Sequence, residues 1–418
     1  MSEHAQRQSQ AVETDSPYSW WRLALSMVIS TIGGVGMWSV VVVLPSIEAE
    51  FGVDRGDASL PYMATMIGFA IGGVFMGRLA DKRGVFVPLF FSSILLSAGF
   101  IAAAYTTSLW QFIVVQAVFI GMLGSSASFA PLVADITHWF VRRRGIAIAL
   151  VASGNYVSGT LWPPFLTYGI EQYGWRTSYI VIGIICFCTM IPLASLLRRR
   201  PNLDDEVVTG NHKIDRFRLN ISPRALQSLL VIAGIACCVA MSMPQVHIVA
   251  YCGDLGYGVA RGAEMLSLML GFGIVSRLVF GMIGDKIGGV GTLILGSILQ
   301  CLALLLYIPF DGLMSLYVVS ALFGLAQGGI VPSYAMIVRQ YFPAKEAGSR
   351  VSLVLMATII GMALGGWLSG AIFDLTGSYQ AAFLNGIGWN LLNMSIAIWL
   401  FVGQLKSSRK IAKTPSPA

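Results

Sequence analysis

Apolar runs of about 20 residues recur along the whole chain, and they constrain its fold more than any other feature. A helix of about 20 residues crosses the ~30 Å hydrocarbon core of a bilayer. Within that core every backbone N–H and C=O must bond inside the protein, so only helices and closed barrels span it. The runs lie near residues 22–44, 60–80, 86–105, 110–133, 145–168, 177–197, 225–250, 262–284, 290–310, 314–337, 350–373 and 380–404. We therefore predict an all-α membrane protein with twelve transmembrane helices.

Composition supports this prediction and argues against other classes of protein. Apolar residues make up 56% of the chain and charged residues 11%, and the mean hydropathy is +0.74. A soluble domain carries about 25% charged residues. The six cysteines lie in or beside apolar runs and the four histidines are scattered, so we expect neither a disulfide framework nor a metal site. No phosphate-binding loop and no nucleophile–base pair stand out, so we expect no cofactor and no enzyme activity.

Charge distribution predicts the orientation in the membrane. With a cytoplasmic N-terminus, all but four of the 27 Lys and Arg residues fall on the cytoplasmic side. Arg55, Arg176 and Arg261 fall outside, and Arg277 falls within a span. Since cytoplasmic loops carry the excess of basic residues, both termini are predicted to be cytoplasmic. The net charge of +7 then reflects topology and gives no reason to expect nucleic acid.

A repeat divides the chain into two halves. Gly77–Gly84 and Gly281–Gly288 match at an offset of 204, and Gly174 and Gly377 match at 203. Trp139-Phe140 and Tyr341-Phe342 match at 202. A constant offset indicates a duplicated six-helix unit. We predict a disordered N-terminus at 1–18, bundles at 19–197 and 225–404, a cytoplasmic linker at 198–224 and a cytoplasmic tail at 405–418. Two such bundles enclose a central site at the middle of the membrane.

Arg277 is the most informative single residue for function. It lies in an apolar stretch, Leu266 to Ile283, that is otherwise free of full charges. A guanidinium stays protonated, and at the centre of a bilayer it costs at least ~2.5–3.5 kcal/mol. A chain keeps such a group where it faces a water-filled cavity and meets an anion. We predict that this anion is the transported substrate; the alternative is a structural cation capped by carbonyls or by a neighbouring carboxylate.

The two copies of a loop motif, GRLADKRG at Gly77–Gly84 and GMIGDKIG at Gly281–Gly288, resemble those of the major facilitator superfamily. In such a motif a glycine allows helices to approach, and the aspartate meets a helix N-terminus or a basic residue across the interface. The alternative is a tight turn with solvated charges. The residues that we predict to act in cytoplasmic gating are Gly77, Asp81, Arg83, Gly281, Asp285, Lys286, Arg143 and Arg144.

Within that superfamily, WFVRRRGIAIALVASG at Trp139–Gly154 resembles the signature of the monocarboxylate porters. The segment VHIVAYCGDLGYG and the helix after it are similar to bacterial members of that group and to the oxalate/formate exchangers. The resemblance implies that Arg277 binds the substrate carboxylate. Ser46 and Gly273 replace a lysine and an aspartate that are tied to proton coupling in the animal porters, and the acidic-glycine-glycine signature at the first helix is missing. The mechanism of coupling is therefore not carried over.

One fixed cation matches one carboxylate. The resembling oxalate/formate exchangers carry a second cation in the eleventh helix, whereas residues 353–367 contain no Lys or Arg. A dianion would remain half unpaired in a medium of low dielectric constant. We predict a secondary transporter of small monocarboxylates such as lactate or pyruvate, proton-coupled, monomeric and in a bacterial inner membrane. The alternatives are an organic anion exchanger with a counter-anion and a transporter-like ligand sensor.

Further candidate residues fall into two groups. Asn155, Tyr156, Ser333 and Tyr334 are placed to hydrogen-bond a hydroxyl or keto oxygen of the substrate, or to pack between helices. Trp38 and Tyr62 are predicted to shape an apolar wall of the binding site.

The proton-coupling candidates are His247 and Asp135. Histidine has a free pKa near ~6.5 and titrates at physiological pH. The alternative for His247 is a hydrogen bond at the membrane surface, and the alternative for Asp135 is an ion pair with Arg142 or Arg143.

Overall fold

The computed structural model describes residues 15–140, 143–199, 222–342 and 344–412, and these residues form helices and short connections without a strand. Most of the predicted disordered N-terminus, the linker beyond Arg199, residue Arg142 and the last six residues of the tail lie outside this description. The N-terminal half contains α1 Pro17–Gly33, α2 Val35–Phe51, α3 Arg55–Arg83, α4 Phe86–Ala104, α5 Leu109–Val115, a wide-turn helix Gln116–Gly124, a 3-10 turn Ser125–Ser128, α6 Ala130–Trp139 and α7 Arg144–Ser195. The C-terminal half contains α8 Pro223–Asp254, α9 Val259–Leu306, α10 Leu313–Gln327, α11 Ile330–Tyr341, α12 Ala344–Thr376 and α13 Tyr379–Ala412.

Ten segments of the described chain are long and apolar enough to cross a membrane. Two of them, within α7 and α9, are 50 and 48 residues long, more than twice what a bilayer requires. Each contains one glycine with a non-helical backbone, Gly174 (φ 77°) in α7 and Gly288 (φ 76°) in α9. Only glycine adopts such positive φ angles at no steric cost, so the helical direction can change at these two positions.

Backbone conformation repeats at the predicted offset. Gly84 and Gly288 have φ angles of 79° and 76°, and Gly174 and Gly377 have φ angles of 77° and 67°. Each glycine thus has a conformational equivalent in the other half of the chain. Because a positive φ angle strongly favours glycine, the matched glycines in the sequence already indicated where these backbone conformations repeat.

A helix break occurs at matched positions in the two halves. In the N-terminal half the wide-turn helix passes into the 3-10 turn at Gly124 and Ser125. In the C-terminal half α10 ends at Gln327, and α11 begins after Gly328 and Gly329. A Cβ atom at Gly328 would lie 2.5 Å from the Gly273 carbonyl oxygen, so a side chain there would separate α9 from the break. The predicted span over 314–337 lies within one apolar segment, Leu313–Tyr341, and both glycines keep right-handed helical φ and ψ angles, so the interruption is local.

Large apolar side chains are exposed on the outer surfaces of the helices. Phe75, Phe165, Phe187, Met282 and Trp399 are each about half exposed or more. A water-soluble surface rarely carries so much apolar area. These side chains are positioned to face lipid, as a multi-pass membrane protein requires.

Candidate functional site

Arg277 projects from α9 toward α7, across the boundary between the two halves. Its Nη1 donates to the Ala152 carbonyl oxygen at 3.0 Å, and its Cζ lies 4.3 Å from the centre of the Tyr156 ring. The side chain is partly buried, and within the described ranges it forms no ion pair with an acid. Its Nε is buried and finds no partner among the described residues. One carbonyl and one ring therefore hold the guanidinium and leave its charge available to an anion.

Gly273 makes room for this stacking. It lies four residues, about one helical turn, before Arg277 on α9. A Cβ atom at Gly273 would lie 2.7 Å from Cε1 and 2.8 Å from Cδ1 of Tyr156. The animal porters that the chain resembles carry an aspartate at the position of Gly273. In this chain the Tyr156 ring lies against that position instead.

Asn155 and Trp38 continue the same surface on the N-terminal side. The Trp38 indole N–H donates to the Asn155 carbonyl oxygen at 3.1 Å, and its ring lies against Gly159, where a Cβ atom would be 2.7 Å away. The Asn155 Oδ1 is buried and has no donor in the part of the chain that the structure describes. The role of Trp38 as an apolar wall of the binding site stays a prediction, and among the described residues Asn155 Oδ1 is an acceptor without a donor.

Two glutamines that sequence reasoning missed lie beside these residues. Gln245 of α8 donates from Nε2 to Oε1 of Gln327, at the end of α10, over 2.6 Å. The Gln327 Nε2 lies 3.7 Å from the position of a Cβ atom at Gly273. One sequence signal could have pointed to Gln327: it is a polar amide side chain in an apolar span, directly before Gly328 and Gly329.

Tyr62 of α3 lies farther toward α12. Its ring is 2.7 Å from the position that a Cβ atom at Gly366 would take, and its buried hydroxyl has no partner within the described segments. Val246, next to Gln245 in the chain, contacts the same glycine position at 3.2 Å. Tyr62 thus closes the space between the halves near the glutamine pair.

Ser333 and Tyr334 are hydrogen-bonded within the C-terminal half. The Ser333 hydroxyl donates to the Gly329 carbonyl oxygen at 2.7 Å, and the Tyr334 hydroxyl donates to Asn393 Oδ1 at 2.8 Å. Both side chains are fully buried. These bonds agree with the packing alternative, and binding of substrate by either residue stays a prediction.

A charged cluster joins the halves at the end of the molecule that is predicted to face outward. We call it the Arg55 cluster; it consists of Glu48, Arg55, Asp254, Asp374 and Tyr379. Arg55 pairs with Glu48 at 2.7 Å and with Asp254 at 2.7 Å, and its Nη1 donates to the Tyr379 hydroxyl at 2.7 Å. Both oxygens of Asp374 accept backbone N–H groups at the start of α3, over 2.9 and 2.6 Å. The N-terminal half is thereby tied to α8, α12 and α13 at this end.

His247 lies directly behind the Arg55 cluster and is fully buried. Its Nε2 lies 2.7 Å from the Gly366 carbonyl oxygen, and its Nδ1 lies 3.1 Å from the Tyr379 hydroxyl. Because a carbonyl only accepts, Nε2 carries the proton, and Nδ1 of the neutral ring accepts from Tyr379. Arg55, Tyr379 and His247 thus form one chain of hydrogen bonds.

Asp135 pairs with Arg22 of α1, a partner that the sequence analysis did not name; of the two predicted partners, Arg142 lies outside the described residues. Nε and Nη2 of Arg22 donate to the two carboxylate oxygens over 2.8 and 2.9 Å, and the Arg22 side chain is fully buried. The Trp139 ring covers the guanidinium at 4.5 Å. Hydropathy did not reveal this pair because its partners are 113 residues apart.

The same ion pair borders a small cavity of about 70 Å³, which also touches Arg83, Arg198 and Arg199. Arg277 is not among the residues that line this cavity. The cavity is therefore separate from the candidate substrate site.

The predicted gating residues lie at the opposite end from the Arg55 cluster. Asp81, Asp285 and Lys286 are exposed, and none of them forms an ion pair with another described residue. A Cβ atom at Gly77 or Gly281 would meet nothing within 4 Å, so these two glycines make no close helix contact in this conformation. Gly284 of the second motif does, because a Cβ atom there would lie 2.8 Å from Met336.

The basic residues of the gating set are placed differently. Arg83 is exposed at the end of α3, and Arg143 is exposed with its Cζ 5.8 Å from the centre of the Trp20 ring. The Arg144 side chain lies outside the described part of the chain.

The fold and the site together define a multi-pass membrane transporter. Its marks are long apolar helices, helix irregularities at matched positions of the two halves, and a guanidinium without an acidic partner in the described residues. The model of the Major Facilitator Superfamily matches residues 26–315 and 265–417, and the chain belongs to that superfamily.

Individual relatives agree with this assignment. Over 350 residues the chain is 26% identical to monocarboxylate transporter 13 of Bos taurus, covering 82% of this chain and 79% of the relative. It is 24% identical over 345 residues to the uncharacterized MFS-type transporter YcxA of Bacillus subtilis (strain 168), covering 80% and 83%. The crystal structure of the nucleoside transporter NupG superposes with a TM-score of 0.70 at 13% identity, covering 91% of this chain and 100% of that one. The chain therefore resembles the monocarboxylate group and shares its fold with a structurally known transporter.

Proposed function

We propose that this protein is a secondary active carrier of small monocarboxylates such as lactate or pyruvate, and that Arg277 binds the carboxylate. The observation that supports this most directly is the state of the guanidinium. It lies between the halves, stacks on Tyr156, and has no acidic partner among the described residues. A planar carboxylate can take two parallel N–H donors from such a group.

The proposed mechanism is alternating access between two six-helix bundles. Counting α7 and α9 as two crossings each, divided at Gly174 and Gly288, turns the ten apolar segments into twelve crossings. The Arg55 cluster then closes the outer face, while the gating motifs at the other end are solvated. This is the arrangement of a carrier that opens toward the cytoplasm, in an inner membrane with both termini cytoplasmic.

For energy coupling we propose a proton, with His247 as the group that takes it up. The neutral ring accepts from Tyr379, and Tyr379 in turn accepts from Arg55. A proton on Nδ1 would remove this acceptor and place a second positive charge behind Arg55, with Asp254 and Asp374 as the nearby carboxylates. The closed outer end therefore favours neutral His247, and this preference would link the proton to the gate. Asp135 supports this role less well because Arg22 occupies both of its oxygens.

The test is uptake of labelled L-lactate or pyruvate into proteoliposomes, with and without an inward proton gradient. Arg277→Ala is compared with Arg261→Ala, which removes an exposed arginine that pairs with Glu264 of the same helix. Gradient-driven uptake that is lost with Arg277→Ala and kept with Arg261→Ala is the expected result. Uptake that is insensitive to Arg277→Ala would assign Arg277 a structural role. Transport that occurs only when the liposomes are preloaded with an organic anion would favour an exchanger.

A further inference from the structure

We infer that the glutamine pair, Gln245 and Gln327, reads a hydroxyl group next to the carboxylate, so that the site selects 2-hydroxy monocarboxylates over unsubstituted acids. The inference rests on the proposed carboxylate site at Arg277. It adds residues and a substrate class that the charge of Arg277 alone does not specify.

The first observation is that the glutamine pair leaves one donor and one acceptor unused. The two side chains are 2% and 0% exposed and share one hydrogen bond of 2.6 Å. Gln245 Oε1 and Gln327 Nε2 have no partner among the residues that the structure describes. If both side-chain amides are flipped by 180°, Gln327 donates to Gln245 instead. One amide oxygen and one amide N–H group of the pair are then again without a partner among the described residues. The pair thus offers both functions whichever way the amides are assigned.

The second observation is the position of the pair. Gln327 Nε2 and the Tyr156 ring both approach Gly273, at 3.7 Å and 2.7 Å from the position of a Cβ atom there. Arg277 follows one turn later on the same helix and stacks on the same ring. The amide, the ring and the guanidinium therefore border one small region at the break between α10 and α11.

The third observation is the balance of donors and acceptors around this region. Among the described residues, the unused donors here are Arg277 Nε and Gln327 Nε2, and the unused acceptor is Gln245 Oε1. A carboxylate supplies only acceptors, so it satisfies the donors and leaves the buried acceptor unpaired. A hydroxyl group supplies the missing donor and one more acceptor.

This balance predicts an order among three acids of similar size. L-lactate offers a hydroxyl group that both donates and accepts. Pyruvate offers a keto oxygen that only accepts, and propionate offers neither. Because a buried polar group without a partner is unfavourable, the order of preference is lactate, then pyruvate, then propionate.

The experiment measures kcat/KM for labelled L-lactate, pyruvate and propionate with the full-length protein in proteoliposomes. The variants are Gln327→Leu and Gln245→Leu. The control is Gln300→Leu, which makes the same change at a buried glutamine of α9 that donates instead to the Cys237 carbonyl oxygen at 3.3 Å. Wild type is expected to favour lactate over propionate by about tenfold or more, since one hydrogen bond to a buried partner contributes about that factor. Either variant of the pair should bring the lactate-to-propionate ratio close to one, and Gln300→Leu should leave it unchanged.

The selectivity of wild type tests the inference even if a variant does not fold. A wild-type ratio near one, with uptake of both acids that depends on Arg277, would overturn the inference and leave the proposed carboxylate site standing. A high wild-type ratio that survives in both variants of the pair would also overturn it. Absence of uptake of all three acids would overturn the inference and the proposed function together.

Discussion

The substitution Gly273→Ala tests how the guanidinium is positioned without touching any charge. The added Cβ atom would lie 2.7 Å from Tyr156, and contacts below 3.4 Å are tighter than nearly all real Cβ contacts. The ring must therefore shift by about 0.7 Å, the difference between these two distances, and a shift of this size perturbs its stacking on Arg277. A partly desolvated cation–π contact contributes about 1–2 kcal/mol, and its loss corresponds to about a 5- to 30-fold change in binding.

The assay is the concentration dependence of L-lactate and pyruvate uptake in proteoliposomes. We expect KM to rise about 5- to 30-fold for both acids, because the ring supports the carboxylate-binding group and not the rest of the substrate. Gly271→Ala is the matched control: it lies two residues away on α9, and its Cβ atom would meet Thr160 at an ordinary 3.5 Å. If Gly273→Ala keeps KM within about twofold of Gly271→Ala, the stacking of Tyr156 does not position Arg277, and the reasoning is refuted.

Three further predictions concern the other charged groups. Arg55→Leu should lower stability by about 1–3 kcal/mol, because it removes a mostly buried cation from carboxylates that are partly exposed. Arg261→Leu should lower stability less, because Arg261 and its partner are exposed to solvent; equal thermal shifts in the two variants would contradict this. Asp135→Asn should lower stability by about 3–5 kcal/mol, because it leaves the buried Arg22 without a compensating charge. In a denaturation assay, adding Arg22→Met should recover most of this stability; a double variant no more stable than Asp135→Asn would refute the pairing argument. In wild type, acidification of the outer side from about pH 7.5 to 5.5 should accelerate uptake, because a proton on His247 opposes closure of the outer end. His247→Gln should abolish this dependence of uptake on outer pH. A pH profile unchanged in the variant would exclude His247 as the coupling group.

The periodic features of the fold were predictable from the sequence. The apolar runs at 86–105 and 225–250 correspond to Phe86–Ala104 and Pro223–Asp254, because length and hydropathy decide what can cross a bilayer. The positive φ angle of Gly288 was contained in the repeat. The first run was predicted too short: the helices continue from Pro17 to Phe51 around Gly34, since polar residues extend a helix beyond the apolar core.

The candidate site was only partly predictable. Arg277 stood out because it is a full charge in an apolar stretch, and Tyr156 lies two residues beyond the segment Trp139–Gly154 that the family resemblance singled out. The glutamine pair and the Arg55 cluster did not stand out, because their meaning depends on partners far away in the chain: Gln245 and Gln327 are 82 residues apart, and Arg55 and Tyr379 are 324 residues apart. A hydropathy profile contains no information about such contacts.

The Arg55 cluster also sets the electrostatic potential at the predicted outer entrance. It contains three carboxylates, Glu48, Asp254 and Asp374, and one guanidinium, so its charges do not cancel. A negative surface potential enriches protons and depletes small anions in the adjacent water, over a distance of about 8 Å at physiological ionic strength. The water at this entrance is therefore more acidic than the bulk and poorer in free carboxylates. A weak acid arriving there meets conditions that favour its protonated form, before it reaches any residue of the transport path.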